Sequence, residues 1–83
     1  MKTLIEQNYQ SIIKRGLITD KTTVQEFVDK IYEEVNELEE AETEKELVFE
    51  MADVILTVLN YARHFNYPIE KTLKQKIEIN KNR

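Results

Sequence analysis

Residues 44–65 limit more than any other stretch what this chain can fold into. Leu47, Val48, Phe49, Met51, Ala52, Val54, Ile55, Leu56, Val58, Leu59, Tyr61, Ala62 and Phe65 are all apolar. At about 100° per residue they cover most of a helical circumference. A helix that is apolar nearly all round is buried on several sides. A chain of 83 residues has few other elements with which to cover it. The pattern therefore predicts a helix packed against its own neighbours and against a second subunit. The polar groups of the segment are confined: Glu50, Asp53, Thr57, Asn60 and His64 fall within an arc of about 80°.

Three further helices flank this one. Residues 4–15 carry the stripe Ile5, Tyr9, Ile12 and Ile13, and Thr3 with Glu6 fits a capping box at the start. Gly16, the only glycine, stands where a left-handed C-terminal cap falls. A second capping box, Thr23 with Glu26, opens a helix with Val24, Phe27, Val28, Ile31, Val35 and Leu38 at 3/4 spacing. A third, Thr43 with Glu46, opens the apolar helix. Asn66-Tyr67-Pro68 closes that helix, and Pro68 leads into a fourth over residues 69–83. With one glycine, one proline and 34% charged residues, the composition is that of an all-α domain spanning 1–83.

Several classes are disfavoured. The chain has no cysteine, which removes disulfide staples and thiolate metal sites. A net charge of -4 argues against a surface that coats nucleic acid. No apolar run approaches 18 residues and no signal-peptide core is visible, so no membrane role and a cytoplasmic location are expected. There is no candidate nucleophilic serine or cysteine and no glycine-rich phosphate loop.

The chemistry resides in two acidic steps, Glu34-Val-Asn-Glu37 and Glu50-Met-Ala-Asp53. Residues three apart share a helix face, so each step presents two carboxylates one turn apart. Two such helices packed antiparallel aim four anions at one point, which is unstable without a cation. A hard ion that takes oxygen ligands, Mg²⁺ above all and Mn²⁺ in its place, is the natural occupant. Solvated surface acids are the plain alternative in a chain with 16 of them. Against it, Glu34 and Glu37 flank the apolar stripe of their helix. Glu50 and Asp53 lie on a helix with little polar surface to spare. Glu33 points away from the stripe, and the cluster at residues 39–46 reads as a solvated turn.

Lys30 lies close in angle to Glu34 and Glu37, placed either for an i, i+4 ion pair or for a phosphate. The fourth helix starts its seam with Ile69 and Leu73 and continues the same face as Lys76, Asn80 and Arg83. A seam that turns cationic suggests an anion near its far end, with a frayed terminus as the alternative. His64, the sole histidine, reads as an ordinary helix-end side chain.

Taken in order, these residues resemble a known family. Lys30-Ile-Tyr-Glu-Glu-Val-Asn-Glu-Leu38 is similar to the K-[IL]-x-E-E-x-x-E-L helix of the MazG-like, all-α nucleoside triphosphate pyrophosphohydrolases. Glu50-Met-Ala-Asp-Val-Ile-Leu56 resembles their E-x-A-D-[VI]-[LI]-L helix, and Lys76-Ile-Glu-Ile-Asn80 their K-x-x-x-N element. The match covers about residues 23–83. The resemblance implies a four-helix bundle assembled as a dimer or a dimer of dimers. It implies Mg²⁺-dependent cleavage of a nucleoside triphosphate to monophosphate and pyrophosphate, as in house-cleaning of nucleotides. Glu34, Glu37, Glu50 and Asp53 would be metal ligands; a carboxylate not fully engaged by metal could accept the proton of the attacking water, and Glu37 is the candidate. Lys76, Asn80 and Arg83 would face the phosphates, and Lys30, by its position beside Glu34 and Glu37, is a further candidate for that contact. Two alternatives accompany this reading: a phosphoribosyl-ATP pyrophosphohydrolase-type enzyme, and a non-catalytic helical dimer that binds metal, nucleotide or a protein partner. The spacer between the acidic steps is short for the family, and the base-recognition elements of other members are not recognisable.

Overall fold

Two threonines start the two central helices. Thr23 sits in extended backbone, and its hydroxyl accepts the Glu26 N–H at 3.2 Å; α2 follows as Val24–Glu39. Thr43 caps α3, Glu44–His64, in the same way, accepting the Glu46 N–H at 3.1 Å. Both contacts satisfy an N–H that the first turn of a helix leaves free. In return the Glu46 carboxylate accepts the Glu42 N–H at 3.0 Å. With α1 at Lys2–Lys14 and α4 at Ile69–Lys81, these elements belong to a computed structural model that describes residues 2–83, with side chains from residue 3 onward. No strand occurs among the described residues.

The stops are as local as the starts. Gly16 has φ 72°, its N–H donates to the Ile13 carbonyl at 2.9 Å, and the Leu17 N–H donates to Ile12 at 3.1 Å. This paired bonding around a left-handed residue ends α1. Asn66 ends α3 by the same geometry, with φ 59° and a Tyr67 N–H donating to Ala62 at 2.8 Å. One expected cap does not form. Thr3 lies inside α1, which is already under way at Lys2. Glu6 instead takes the Arg63 guanidinium in a two-pronged contact, at 2.7 and 3.2 Å.

The short link at residues 40–43 makes α2 and α3 antiparallel neighbours. α1 lies against α3 as well. The core is aromatic: Tyr9, Ile18 and Phe27 are buried, with Ile12, Tyr61 and Phe65 packed around them. Phe27 meets Tyr61 edge-on with ring centroids 4.6 Å apart, a favoured aromatic geometry. Polar bonds align α1 on α3. Asn8 donates to the buried Asn60 at 2.9 Å, and Tyr9 Oη lies 3.0 Å from His64 Nδ1. Arg63 stacks its guanidinium over the Tyr9 ring at 4.6 Å.

The molecule is thus an all-α, four-helix bundle in which α4 packs least. α4 contains no buried residue. In the single chain α3 is not covered all round. Its C-terminal half buries Leu59, Asn60 and Ala62, whereas Val48, Phe49 and Met51 in its N-terminal half, and Ile55 just past its middle, are exposed. The radius of gyration is 14.2 Å, against about 12 Å for a compact chain of this length. Among the described residues, no helix is long and apolar enough to cross a membrane.

Candidate metal centre

The α2–α3 hairpin decides where the two acidic steps meet. Glu34 and Glu37 stand in the last part of α2, and Glu50 and Asp53 in the first half of α3. Reversal at residues 40–43 brings the steps level with each other. One carboxylate oxygen each from Glu34, Glu50 and Asp53 lies within 4.8 Å of the other two.

Burial across the cluster is graded. Glu34 is 8% exposed, Glu50 is half-buried and Asp53 faces solvent. Glu34 Oε1 is held by Lys30 Nζ at 3.2 Å. Its Oε2 and the Oε2 of Glu50 are sealed from solvent and accept no hydrogen bond. A buried charged oxygen without a donor costs several kcal/mol, on the order of the desolvation penalty of an unpaired ion. Two such oxygens in one cluster fit a cation. The donor set is all carboxylate, which suits Mg²⁺, Mn²⁺ or Ca²⁺ over softer ions.

Glu37 stands apart from that trio. It is exposed, yet it lines the same cavity of about 310 Å³ as Glu34 and Asp53. The negative charge of Glu34 lifts its carboxyl above the ordinary value of 4.5, helped by desolvation, a hydrogen bond shared with Glu34 and the charge of Glu50. Lys30 enters the cavity too. Burial lowers its affinity for the proton, but the hydrogen bond to Glu34 and the charges of Glu33 and Glu34 more than offset this and hold it above its usual 10.5.

The α4 residues are elsewhere. Lys76, Asn80 and Arg83 are exposed, and no α4 residue lines the acidic cavity. The cavity instead takes Asn8, Ser11 and Arg15 from α1 and the turn after it. No pattern in the sequence marks Asn8 or Ser11. Asn60 could be anticipated, because it sits on the narrow polar stripe of α3. His64 lies among aromatic rings, 5.6 Å from Phe27 and 5.0 Å from Phe65 between centroids. It does not line the cavity.

A second, more apolar cavity of about 270 Å³ adjoins the first. Ile18, Phe27 and Thr22 line it, and it shares Ile12, Leu17, Lys30, Thr57 and Asn60 with the acidic one. The two spaces together form a cleft, charged at one end and apolar with an aromatic wall at the other. No family model, no curated protein and no solved structure matches the chain.

Proposed function

We propose that this protein is a MazG-like nucleoside triphosphate pyrophosphohydrolase of the house-cleaning kind. It works as a Mg²⁺-dependent, cytoplasmic homo-oligomer of one domain over residues 1–83. The observation that carries this reading is the trio Glu34, Glu50 and Asp53, two of whose buried oxygens lack any donor. The motif resemblance of α2, α3 and α4 gives the trio a reaction.

When bound, Mg²⁺ neutralises phosphate charge and acidifies water. The chain's own groups do the rest. Glu34, Glu37, Glu50 and Asp53 supply the oxygen ligands. Lys30 offers an ammonium to the phosphates while it steadies Glu34. Glu37 is the carboxylate with an altered proton affinity, and it accepts a proton from the attacking water. Water adds at phosphorus and pyrophosphate leaves, so positioning and electrostatics account for most of the rate. Lys76, Asn80 and Arg83, which stand outside the acidic cavity in the single chain, are the phosphate contacts that the motif resemblance implies. The apolar cavity beside the cluster receives the nucleobase against Phe27.

A phosphate-release assay coupled to an inorganic pyrophosphatase tests this across nucleotides, with and without Mg²⁺. Glu37→Gln and Asp53→Asn should each remove activity and leave far-UV circular dichroism unchanged. Normal turnover by both variants would sink the assignment.

A further inference from the structure

We infer that the waist of the cleft, where the acidic and apolar cavities meet, reads a hydroxyl of the substrate's sugar, with Asn60 donating to it and Thr57 accepting from it. The inference rests on the nucleotide reading of the acidic cavity, and it adds what the site recognises between phosphates and base.

The waist is defined by the residues that both cavities share: Ile12, Leu17, Lys30, Thr57 and Asn60. Ile12 and Leu17 carry no polar side-chain atom. The Lys30 ammonium is turned to carboxylates, 3.2 Å from Glu34 and 3.5 Å from Glu33. Thr57 and Asn60 are left to meet a ligand. They stand three residues apart on α3, so they share a helix face, with Cβ atoms about 5–6 Å apart. One small group lodged between them touches both.

The fold fixes the polarity of each. Asn60 is only 3% exposed, and its Oδ1 accepts from Asn8 Nδ2 at 2.9 Å. That bond leaves the Nδ2 side of the Asn60 amide for another partner. No acceptor takes Nδ2 among the described residues. Nor is it walled off, because among those residues only Glu34 Oε2 and Glu50 Oε2 are both sealed and unpaired. A buried donor without a partner is costly, so Nδ2 takes an acceptor from the cleft. Thr57 commits its one hydroxyl hydrogen to the Asp53 carbonyl, 2.8 Å away. Its Oγ1 can then only accept.

A fixed donor beside a fixed acceptor matches a group that accepts and donates at once. A carbonyl or phosphate oxygen only accepts, and an ammonium only donates, so each satisfies one of the pair. A hydroxyl satisfies both. In a nucleotide the sugar joins the phosphates to the base. With phosphates at the acidic end and the base against Phe27, the sugar falls at the waist, and its secondary hydroxyls are the matching groups. Asn8 acts through Asn60: it is a positioning residue that holds the amide with its donor free.

Titration calorimetry reads this without turnover. The probes are α,β-methylene triphosphates of adenosine, guanosine, cytidine and uridine, with Mg²⁺, each in ribo, 2′-deoxy, 3′-deoxy and 2′,3′-dideoxy form. For the base bound best, the dideoxy form should bind at least about tenfold more weakly than the tightest hydroxyl-bearing form. The two single-deoxy forms assign the loss to one hydroxyl or to both. Thr57→Val, which keeps the shape and removes the acceptor, should lose most of that preference. Asn8→Ala, which frees the Asn60 amide to turn, should narrow it as well. Equal binding of dideoxy and hydroxyl-bearing forms by wild type, or variants that weaken all forms alike and keep the full preference, overturns the reading of the waist. A protein of that kind that still releases pyrophosphate leaves the hydrolase standing. Hydroxyl preference without hydrolysis supports the waist and sinks the hydrolase alone, and binding of no nucleotide sinks both.

Discussion

Asp53→Asn should stabilise the metal-free protein and destabilise the metal-loaded one relative to wild type. Asp53 has a carboxylate oxygen within 4.8 Å of one on Glu34 and one on Glu50. No cation pairs with it among the described residues. At that separation each like-charge pair costs about 0.9 kcal/mol in a water-like medium and about 3.5 kcal/mol at an effective dielectric of 20. Because Asp53 is exposed, the water-like figure governs. Removing two repulsions, with salt screening, then contributes about 1–2 kcal/mol. Asn and Asp have similar helix propensity, so little is lost on that account. For a domain of this size the gain corresponds to a rise of about 5–10 °C in Tm in EDTA. Mg²⁺ at a hundred times its Kd should stabilise wild type by about 2.7 kcal/mol and the variant by far less. Differential scanning fluorimetry, in EDTA and then across a Mg²⁺ series, reads both halves. A variant less stable than wild type in EDTA, or an equal Mg²⁺ shift in the two proteins, would refute the reasoning.

Two other outcomes follow from the same structure. Glu37 has a raised carboxyl pKa in the folded state, caused first by Glu34. Its contribution to stability is full below the ordinary value and is lost as pH rises through the raised one. Glu37→Gln should therefore gain on wild type between pH 4 and pH 7 in EDTA, and urea midpoints that stay parallel across that range would contradict this. Phe27 is 5% exposed and touches Tyr61 and Phe65. Phe27→Ala should cost about 3–5 kcal/mol, seen as a large drop in the urea midpoint or loss of cooperative unfolding.

Local chemistry was the most legible part of this protein. Thr23 and Thr43 cap the helices they appeared to announce, and Gly16 takes the left-handed turn that only a residue without a side chain adopts freely. The meeting of Glu34, Glu50 and Asp53 was legible because an i, i+3 step fixes two carboxylates on one face. A four-residue link leaves the next helix little choice but to fold back. Thr3 misled because α1 is already under way at Lys2, which puts Thr3 inside the helix instead of before it, while the Glu6 carboxylate meets Arg63, 57 residues away, which no local rule can see.

Periodicity and spacing alone thus determined four helices, the starts of α2 and α3, the stops of α1 and α3, the acidic pairs and an excess of apolar surface on α3. Tertiary structure decided the rest. It drew Asn8, Ser11 and Arg15 from α1 to the acidic cavity, and set an apolar space next to it. It left Glu37 outside the tight trio and α4 without cover. The physical reason is range. Helix formation and capping depend on neighbours within about four residues. Which polar groups face one cavity depends on how whole helices pack, and that is settled by aromatic and polar contacts more than 50 residues apart, such as Asn8 with Asn60 and Tyr9 with His64.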